Sequence, residues 1–267
     1  MRSILRAERA DAPGTEAQDA LYVRAAGRAM QVLGAFHQAG GPLSLSEIAA
    51  RAGIDRSAAQ RLVHTLLKLG YLRRATGARG YLPGIRILDN TLDLLRLDPM
   101  VQKATPVLLE LRKTVRERVD LSLWDRTRLI YALRMQSKRE TFYATLVGHS
   151  VPTYCTAGGR AALSVLPDDD ARAIVKRTPI QAYTPRTLTD VDAIMGCVAQ
   201  ARMQGFAVVV DEFVLGEVAI GVAVSQGGVP LGAIHVAGSL SEWTPDAFVE
   251  AVSPVATEAA RAIVQSL

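Results

Sequence analysis

Two helix starts and one forced stop fall between Ser44 and Asp55, and no other stretch limits the fold of this chain as tightly. Ser44 and Glu47 form a capping box, in which each residue satisfies a backbone N–H of the other. Gly53 suits the left-handed residue that closes a helix, and Asp55 can cap the next one. The spacing predicts a short helix over Ser44–Ala52, a turn at Gly53-Ile54, and a longer helix from Asp55 to Leu69. The apolar stripe of that longer helix is Ala59, Leu62, Val63, Leu66, Leu67 and Leu69, and Gly70 ends it. An earlier helix, from about Asp19 to Gln38, is stopped by Gly40-Gly41-Pro42. Two short β-like pieces, Tyr71–Arg74 and Gly80–Pro83, follow across a Gly-containing connection and read as a hairpin. Three amphipathic helices around one small core, with a hairpin wing, make a winged helix-turn-helix.

Charge is unevenly placed on this framework. Residues 1–99 hold 14 Arg and Lys against 9 Asp and Glu, whereas residues 100–267 hold 17 of each. Between Arg51 and Arg86 there are 8 basic residues and one acid, Asp55. Such a surface is either a solvated basic face or one that meets phosphate. The residues of the longer helix that face away from its apolar stripe are Arg56, Ser57, Gln60, Arg61 and His64. Gln can read adenine bidentately, and Arg can read guanine or hold phosphate. Ser57 suits a phosphate or base edge beside the free N–H groups of the helix start. Arg79 at the wing tip, with Arg73 and Arg74 on its flanks, can follow a nucleic-acid backbone. A winged helix that binds protein instead of DNA is the competing reading.

The remaining chain divides into further parts. Residues 1–19 read as a flexible arm, 20–83 as the winged unit, 84–98 as a linker helix and 99–267 as a second domain. Asp98-Pro99 starts a helix through about Arg118. Beyond it, strands are expected at Val119–Trp124, Arg128–Leu133, Thr141–Val147, Phe206–Val210, Val218–Ser225 and Val229–Ala237. Helices are expected from Thr156 to Leu166, over Asp168–Lys176, from Thr189 to about Gln204, and from Thr244-Pro245 to about Val264. Six strands with helices around them suit an α+β domain with an antiparallel sheet.

Several classes of protein are disfavoured. No apolar run is long enough for a membrane span, and the N-terminal arginines precede no continuous apolar core of a secretory signal. Two cysteines, Cys155 and Cys197, cannot build a disulfide scaffold or a four-thiolate zinc site. The four histidines never approach the H-E-x-x-H spacing. The reading is a cytoplasmic protein without metal or cofactor.

The stretches GRAMQVLGAF, GGPLSLSEIAARAGIDRSAAQRLVHTLLKLGYL, VPTYCTAGGRAALSVLP, TPRTLTD, QGFAVVVDEF and PLGAIHVAG occur in this order. On them the chain, from about residue 20 to its end, resembles IclR-type bacterial transcriptional regulators. The similarity looks closest to the subgroup that controls breakdown of protocatechuate and related aromatic acids. The resemblance implies a winged helix-turn-helix, a linker helix and a GAF-like effector-binding domain. It implies a homodimer or homotetramer bound to double-stranded operator DNA, a small organic acid as effector, and no catalytic residue. A change of subunit arrangement on ligand binding would alter DNA affinity or contact with RNA polymerase. Ser57, Gln60 and Arg61 carry over as DNA-facing residues, with Ala58 standing where the family often has Thr. Met135, Cys155, Thr156, Asp211, Glu212 and Ile220 are the candidate effector-binding residues by position. Cys155 and Met135 also read as core, and Asp211 and Glu212 as a solvated loop pair. Arg160 stands where the family usually has Lys and is expected to face solvent or a subunit. Residues 215–223 depart from the family pattern, with Ala223 in place of its Pro.

An enzyme is the rival from another class. Cys155 as nucleophile, with His149 or His235 as base and Asp211 as orienter, would make a hydrolase-like site. No glycine elbow surrounds the cysteine. A third reading is a winged-helix protein-interaction scaffold, which would show no salt-dependent binding to duplex DNA, whereas a regulator must lose affinity steeply as salt rises.

Overall fold

The computed structural model describes residues 19–37, 39–77, 79–125, 127–136 and 147–267, and the chain forms two compact units, Met1–Leu94 and Leu95–Leu267. The arm expected at residues 1–19 lies almost wholly outside the described residues.

In the first unit, α1 (Arg24–Gly34), α2 (Leu45–Ala52) and α3 (Arg56–Lys68) precede a hairpin of β1 (Leu72–Arg74) and β2 (Tyr81–Pro83). The caps act as the sequence requires. Ser44 Oγ accepts from Glu47 N at 3.3 Å while Ser44 N donates to Glu47 Oε2 at 2.8 Å. Gly53 takes φ +65°. Asp55 Oδ1 accepts from Ala58 N at 2.8 Å and from the Ser57 hydroxyl at 2.7 Å. Such a cap stabilises a helix by about 1 kcal/mol. Val32, Leu43, Ile48, Val63, Leu66 and Leu72 bury the small core. One helix is shorter than expected. Asp19 Oδ1 accepts from Leu21 N at 2.8 Å, closing a local turn instead of capping, so α1 starts at Arg24 without a side-chain cap.

The linker helix α4 (Arg86–Leu97) buries no residue along its length, and the division between the two units falls within it. Asp98 Oδ1 accepts from Val101 N at 2.9 Å and Pro99 opens α5 (Pro99–Val115).

The second unit is built on a six-stranded sheet in the order β5-β4-β3-β8-β7-β6. Its strands are β3 (Arg118–Asp125), β4 (Arg128–Met135), β5 (Ser150–Pro152), β6 (Ala207–Val210), β7 (Glu217–Gln226) and β8 (Val229–Ser239). Every pairing is antiparallel. One face, with Val119, Leu121, Ile220, Val222, Ile234 and Val236, packs under α5 and α9 (Pro245–Ser266). The other face meets α6 (Ala157–Val165), behind which lie α7 (Asp168–Arg177) and α8 (Val191–Gln204). The strand expected at Thr141–Val147 falls mostly outside the described residues, with Val147 itself in a turn. Beside β4 stands Ser150–Pro152 instead. The cap of α8 is Asp190, whose Oδ1 accepts from Ala193 N at 2.8 Å, one residue later than expected.

Helix α6 lies unusually close to the sheet. A Cβ at Gly221 would overlap the backbone of Ala157, and one at Gly158 would overlap the His235 ring. Backbone cannot yield as a side-chain tip can, so Gly221→Ala should destabilise the second unit by about 1–3 kcal/mol, the usual cost of overpacking. Gly196→Ala is the control, because nothing lies within 4 Å of the added methyl on α8. That change should be neutral or stabilising by up to ~1 kcal/mol. Chemical denaturation of both variants checks the contrast.

Candidate functional site

Helix α3 separates its residues by the helical period. Ala58, Ala59, Val63 and Leu66 are buried, while Arg56, Ser57, Gln60, Arg61 and His64 are all exposed. A groove of about 850 Å³ runs between this face and the wing, lined among others by Ser57, Gln60, Arg61, His64, Arg74 and Tyr81. The Arg74 guanidinium stands 5.6 Å from the centre of the Tyr81 ring. Arg73 and Arg79 are exposed on the same hairpin. Among the described residues, Arg56, Arg61, Arg73 and Arg79 have no acidic partner. Thus the structure brings the sequence-derived basic residues together on α3 and the wing.

The second unit holds a cavity of about 510 Å³ between the sheet, the start of α6 and residues 211–215. Its floor comes from strand alternation. On β3, Val119 and Leu121 turn to the α5–α9 core, so Arg118, Asp120 and Ser122 turn to the other face. Arg118 Nε is 3.0 Å from Asp120 Oδ2, and its Nη1 is 2.7 Å from Glu217 Oε2. Arg134 Nε lies 3.8 Å from Asp120 Oδ1, an atom with no hydrogen bond among the described residues. Burial raises the Asp120 pKa above the usual carboxylate range, against the pull of Arg118 and Arg134. Burial also opposes the charge of Arg118, but Glu217 and Asp120 outweigh it and hold that pKa above its ordinary value. His235 is buried, and burial with the two arginines pushes it down to about 3, so it is neutral near pH 7. Its Nε2 lies 2.7 Å from Ser122 Oγ, and its ring meets Tyr131 edge-on at 5.1 Å.

The expected effector residues divide between two places. Thr156, Asp211 and Glu212 line the cavity. Thr156 Oγ1 accepts from Gly159 N at 3.3 Å and donates to Pro152 O at 2.6 Å. Met135, Cys155 and Ile220 are not on its wall. Ile220 and Met135 belong to the α5–α9 side of the sheet, because alternation presents Ala219 to the cavity and turns Ile220 away. Cys155 is fully buried with Tyr154, Leu163, Ile194 and Val198, and burial pushes its thiol up to about 12. Arg118, Tyr131 and Arg134 were missed, and His235 was weighed only as the base of a hydrolase-like site. The R-V-D-L-S run at 118–122 carried a signal, charged residues alternating with apolar ones in a strand, but alternation alone cannot say whether the polar face meets solvent or a cavity.

Arg160 corrects a further expectation. It is 1% exposed, not turned to solvent or a subunit. Its Nη1 and Nη2 meet Glu212 Oε1 and Oε2 at 2.6 and 2.7 Å, and its Nε donates to Tyr154 O at 2.8 Å. Glu212 Oε2 also accepts from Leu188 N at 3.1 Å. Glu212 is therefore no solvated loop residue. It locks α6 to the segment that roofs the cavity. Asp211 beside it adopts φ +59°, with Oδ1 accepting from Gly216 N at 2.6 Å. Among the described residues no cluster of three His, Cys, Asp or Glu could hold a metal, and no helix is long and apolar enough to cross a membrane.

Comparison with known proteins agrees with both halves. Residues 25–76 match the profile of the IclR helix-turn-helix domain, and residues 94–265 that of the bacterial transcriptional regulator IclR C-terminal domain. The Pca regulon regulatory protein of Pseudomonas putida is 28% identical over 248 residues, covering 92% of this chain and 84% of that one. An IclR family transcriptional regulator from Brucella abortus superposes with a TM-score of 0.81 at 21% identity, over 96% of this chain and 97% of that one. An IclR homologue from Microbacterium hydrocarbonoxydans, solved with 4-hydroxybenzoate, gives 0.71 at 21%, over 91% and 98%.

The buried pair yields a stability prediction. Arg160→Met leaves a carboxylate buried without its cation and should cost about 3–5 kcal/mol. Arg160→Met with Glu212→Met together should cost less than the sum of the single changes. A double-mutant cycle by denaturant unfolding measures the coupling, and additive single effects would contradict it.

Proposed function

Because the chain belongs to the IclR family of bacterial transcriptional regulators, we propose that α3 reads operator DNA and that the cavity of the second unit receives a small organic acid which controls that reading. The observation that carries the first half is the row of exposed, unpartnered basic side chains on the outer face of a helix whose inner face packs into a core. Gln60 reads a base edge, with Arg56 and Arg61 on guanine or phosphate and His64 one turn further along the same side. Ser57 meets a phosphate at the helix start, where free N–H groups favour an anion. Arg73, Arg74 and Arg79 hold the backbone beside the wing.

A carboxylate fits the cavity for a chemical reason. Arg118 and Arg134 come from neighbouring strands, while Val209, Phe213, Val214 and Leu215 give it an apolar wall. Its volume suits a small acid with an apolar body. Thr156 and Asp211 belong to this set, and Glu212 shapes it from behind. An aromatic acid is the preferred class, in line with the 4-hydroxybenzoate held by the Microbacterium homologue.

The protein acts as a homodimer or homotetramer in the cytoplasm. Ile85, Leu88 and Leu92 on and beside the linker helix are 77%, 64% and 63% exposed, an apolar stripe that favours a protein partner over water. Paired subunits then meet a partly palindromic operator. Ligand shifts the subunits between two arrangements, altering DNA affinity or contact with RNA polymerase. A nucleophilic role for Cys155 is disfavoured by its buried, high-pKa thiol.

Selection of binding sites from a randomised duplex library tests the DNA half. Gln60→Ala should lose discrimination at one operator position by about 1–3 kcal/mol, and unchanged preference at every position would exclude that role. A thermal-shift screen with 4-hydroxybenzoate, protocatechuate and related acids tests the other half. Arg118→Gln should abolish the shift without changing DNA affinity in the absence of acid, whereas a retained shift would remove Arg118 from the ligand site.

A further inference from the structure

Two arginines outside α3 and the wing remain unexplained by the reading so far. Arg24 and Arg28 stand one turn apart on α1, and both are exposed. They line one side of a groove of about 490 Å³, whose other side is formed by Ala58, Arg61, Leu62 and Thr65 of α3. Arg61 and Thr65 also line the larger groove toward the wing, to which Arg74 belongs. The outer face of α3 is therefore a ridge between two grooves. The wing with Arg74 flanks it on one side, and α1 with Arg24 and Arg28 flanks it on the other.

The local electrostatics leave these cations unanswered. Among the described residues, Arg24, Arg28 and Arg61 have no acidic partner. Asp55 lines a neighbouring groove with Arg24 and Arg28. Its Oδ1 is already engaged by Ala58 N and the Ser57 hydroxyl. The first turn of α1 carries no acidic residue and no side-chain cap. Arg24 in that turn adds to the positive end of the helix dipole instead of offsetting it, and Arg28 follows one turn later. No intramolecular carboxylate offsets these charges among the described residues, which leaves them open to an external anion.

Duplex geometry supplies the anion. A major groove about 12 Å wide is bounded by two phosphate backbones. A helix seated in it has one backbone along each flank, and the wing can follow only one of them. We infer that Arg24 and Arg28, together with Arg61, form a second phosphate-binding strip that grips the DNA backbone across the groove from the wing. This strip rests on the reading of α3 as the DNA-facing helix. It takes the sugar–phosphate backbone of duplex DNA without regard to sequence.

The test is equilibrium binding of the full chain to its selected duplex and to a scrambled duplex, by fluorescence anisotropy over a salt series. Each phosphate contact contributes about 0.9 to the slope of log K against log salt. Replacing both residues, Arg24→Ala with Arg28→Ala, should lower the slope by about two. It should also weaken both duplexes by the same factor, leaving their ratio unchanged. Arg24→Lys with Arg28→Lys should retain most of the slope. Both positions are solvent-exposed, and circular dichroism melting checks that each variant is folded. A wild-type slope in the double alanine variant would overturn the strip while leaving α3 in place. A change in the ratio between the two duplexes would also overturn it, by moving the arginines to base reading. A wild-type chain indifferent to salt and DNA would overturn the strip and the DNA reading together.

Discussion

A buried ion pair survives folding only when both partners are fully engaged, and Arg160 with Glu212 meets that condition through two short parallel contacts. The guanidinium also holds the Tyr154 carbonyl, and the carboxylate also holds the Leu188 amide. One contact thereby joins α6, the approach to α8 and the segment after β6. These elements place the start of α6 over the sheet, and the absence of side chains at Gly158 and Gly221 allows that approach. The cavity is the space this lock leaves beneath the 211–215 segment.

The two units handle charge in opposite ways. In the second, Arg118, Arg128, Arg160, Arg172 and Arg202 each face a carboxylate. In the first, the described arginines of α1, α3 and the wing tip stand in water without one. Paired charges fix a shape, whereas exposed unpaired charges of one sign attract a partner of the opposite sign over a Debye length. A regulator needs both behaviours, a rigid pocket that senses and an electropositive surface that binds.

Local chemistry made most of the first unit legible. The capping box at Ser44 and Glu47, the αL stop at Gly53 and the cap at Asp55 are contacts between residues a few positions apart, and each appears in place. The exposed face of α3 follows from the helical period alone. In the second unit, element types were readable from apolar runs, and the antiparallel sheet from their number. The ligand cavity was much less so. Arg118, Asp120, Tyr131 and His235 come from strands that meet only in the folded sheet, and nothing in their spacing reveals which face is covered by α6. Arg160 was misread because its partner lies 52 positions away. Cys155 read both as core and as a ligand residue, and only the core reading holds, since a cysteine just before a helix start resembles a site residue until its packing against α8 is known.

Arginine reactivity measures the central claim directly. A dicarbonyl reagent applied to the full chain, read by mass spectrometry residue by residue, separates charges held inside the fold from charges kept for a partner. Arg56, Arg61, Arg73 and Arg79 should react in the free protein and be shielded by duplex DNA, while Arg160 should stay inert throughout. Shielding of the second unit alone on adding DNA, with the α3 and wing arginines as reactive as before, would contradict the claim.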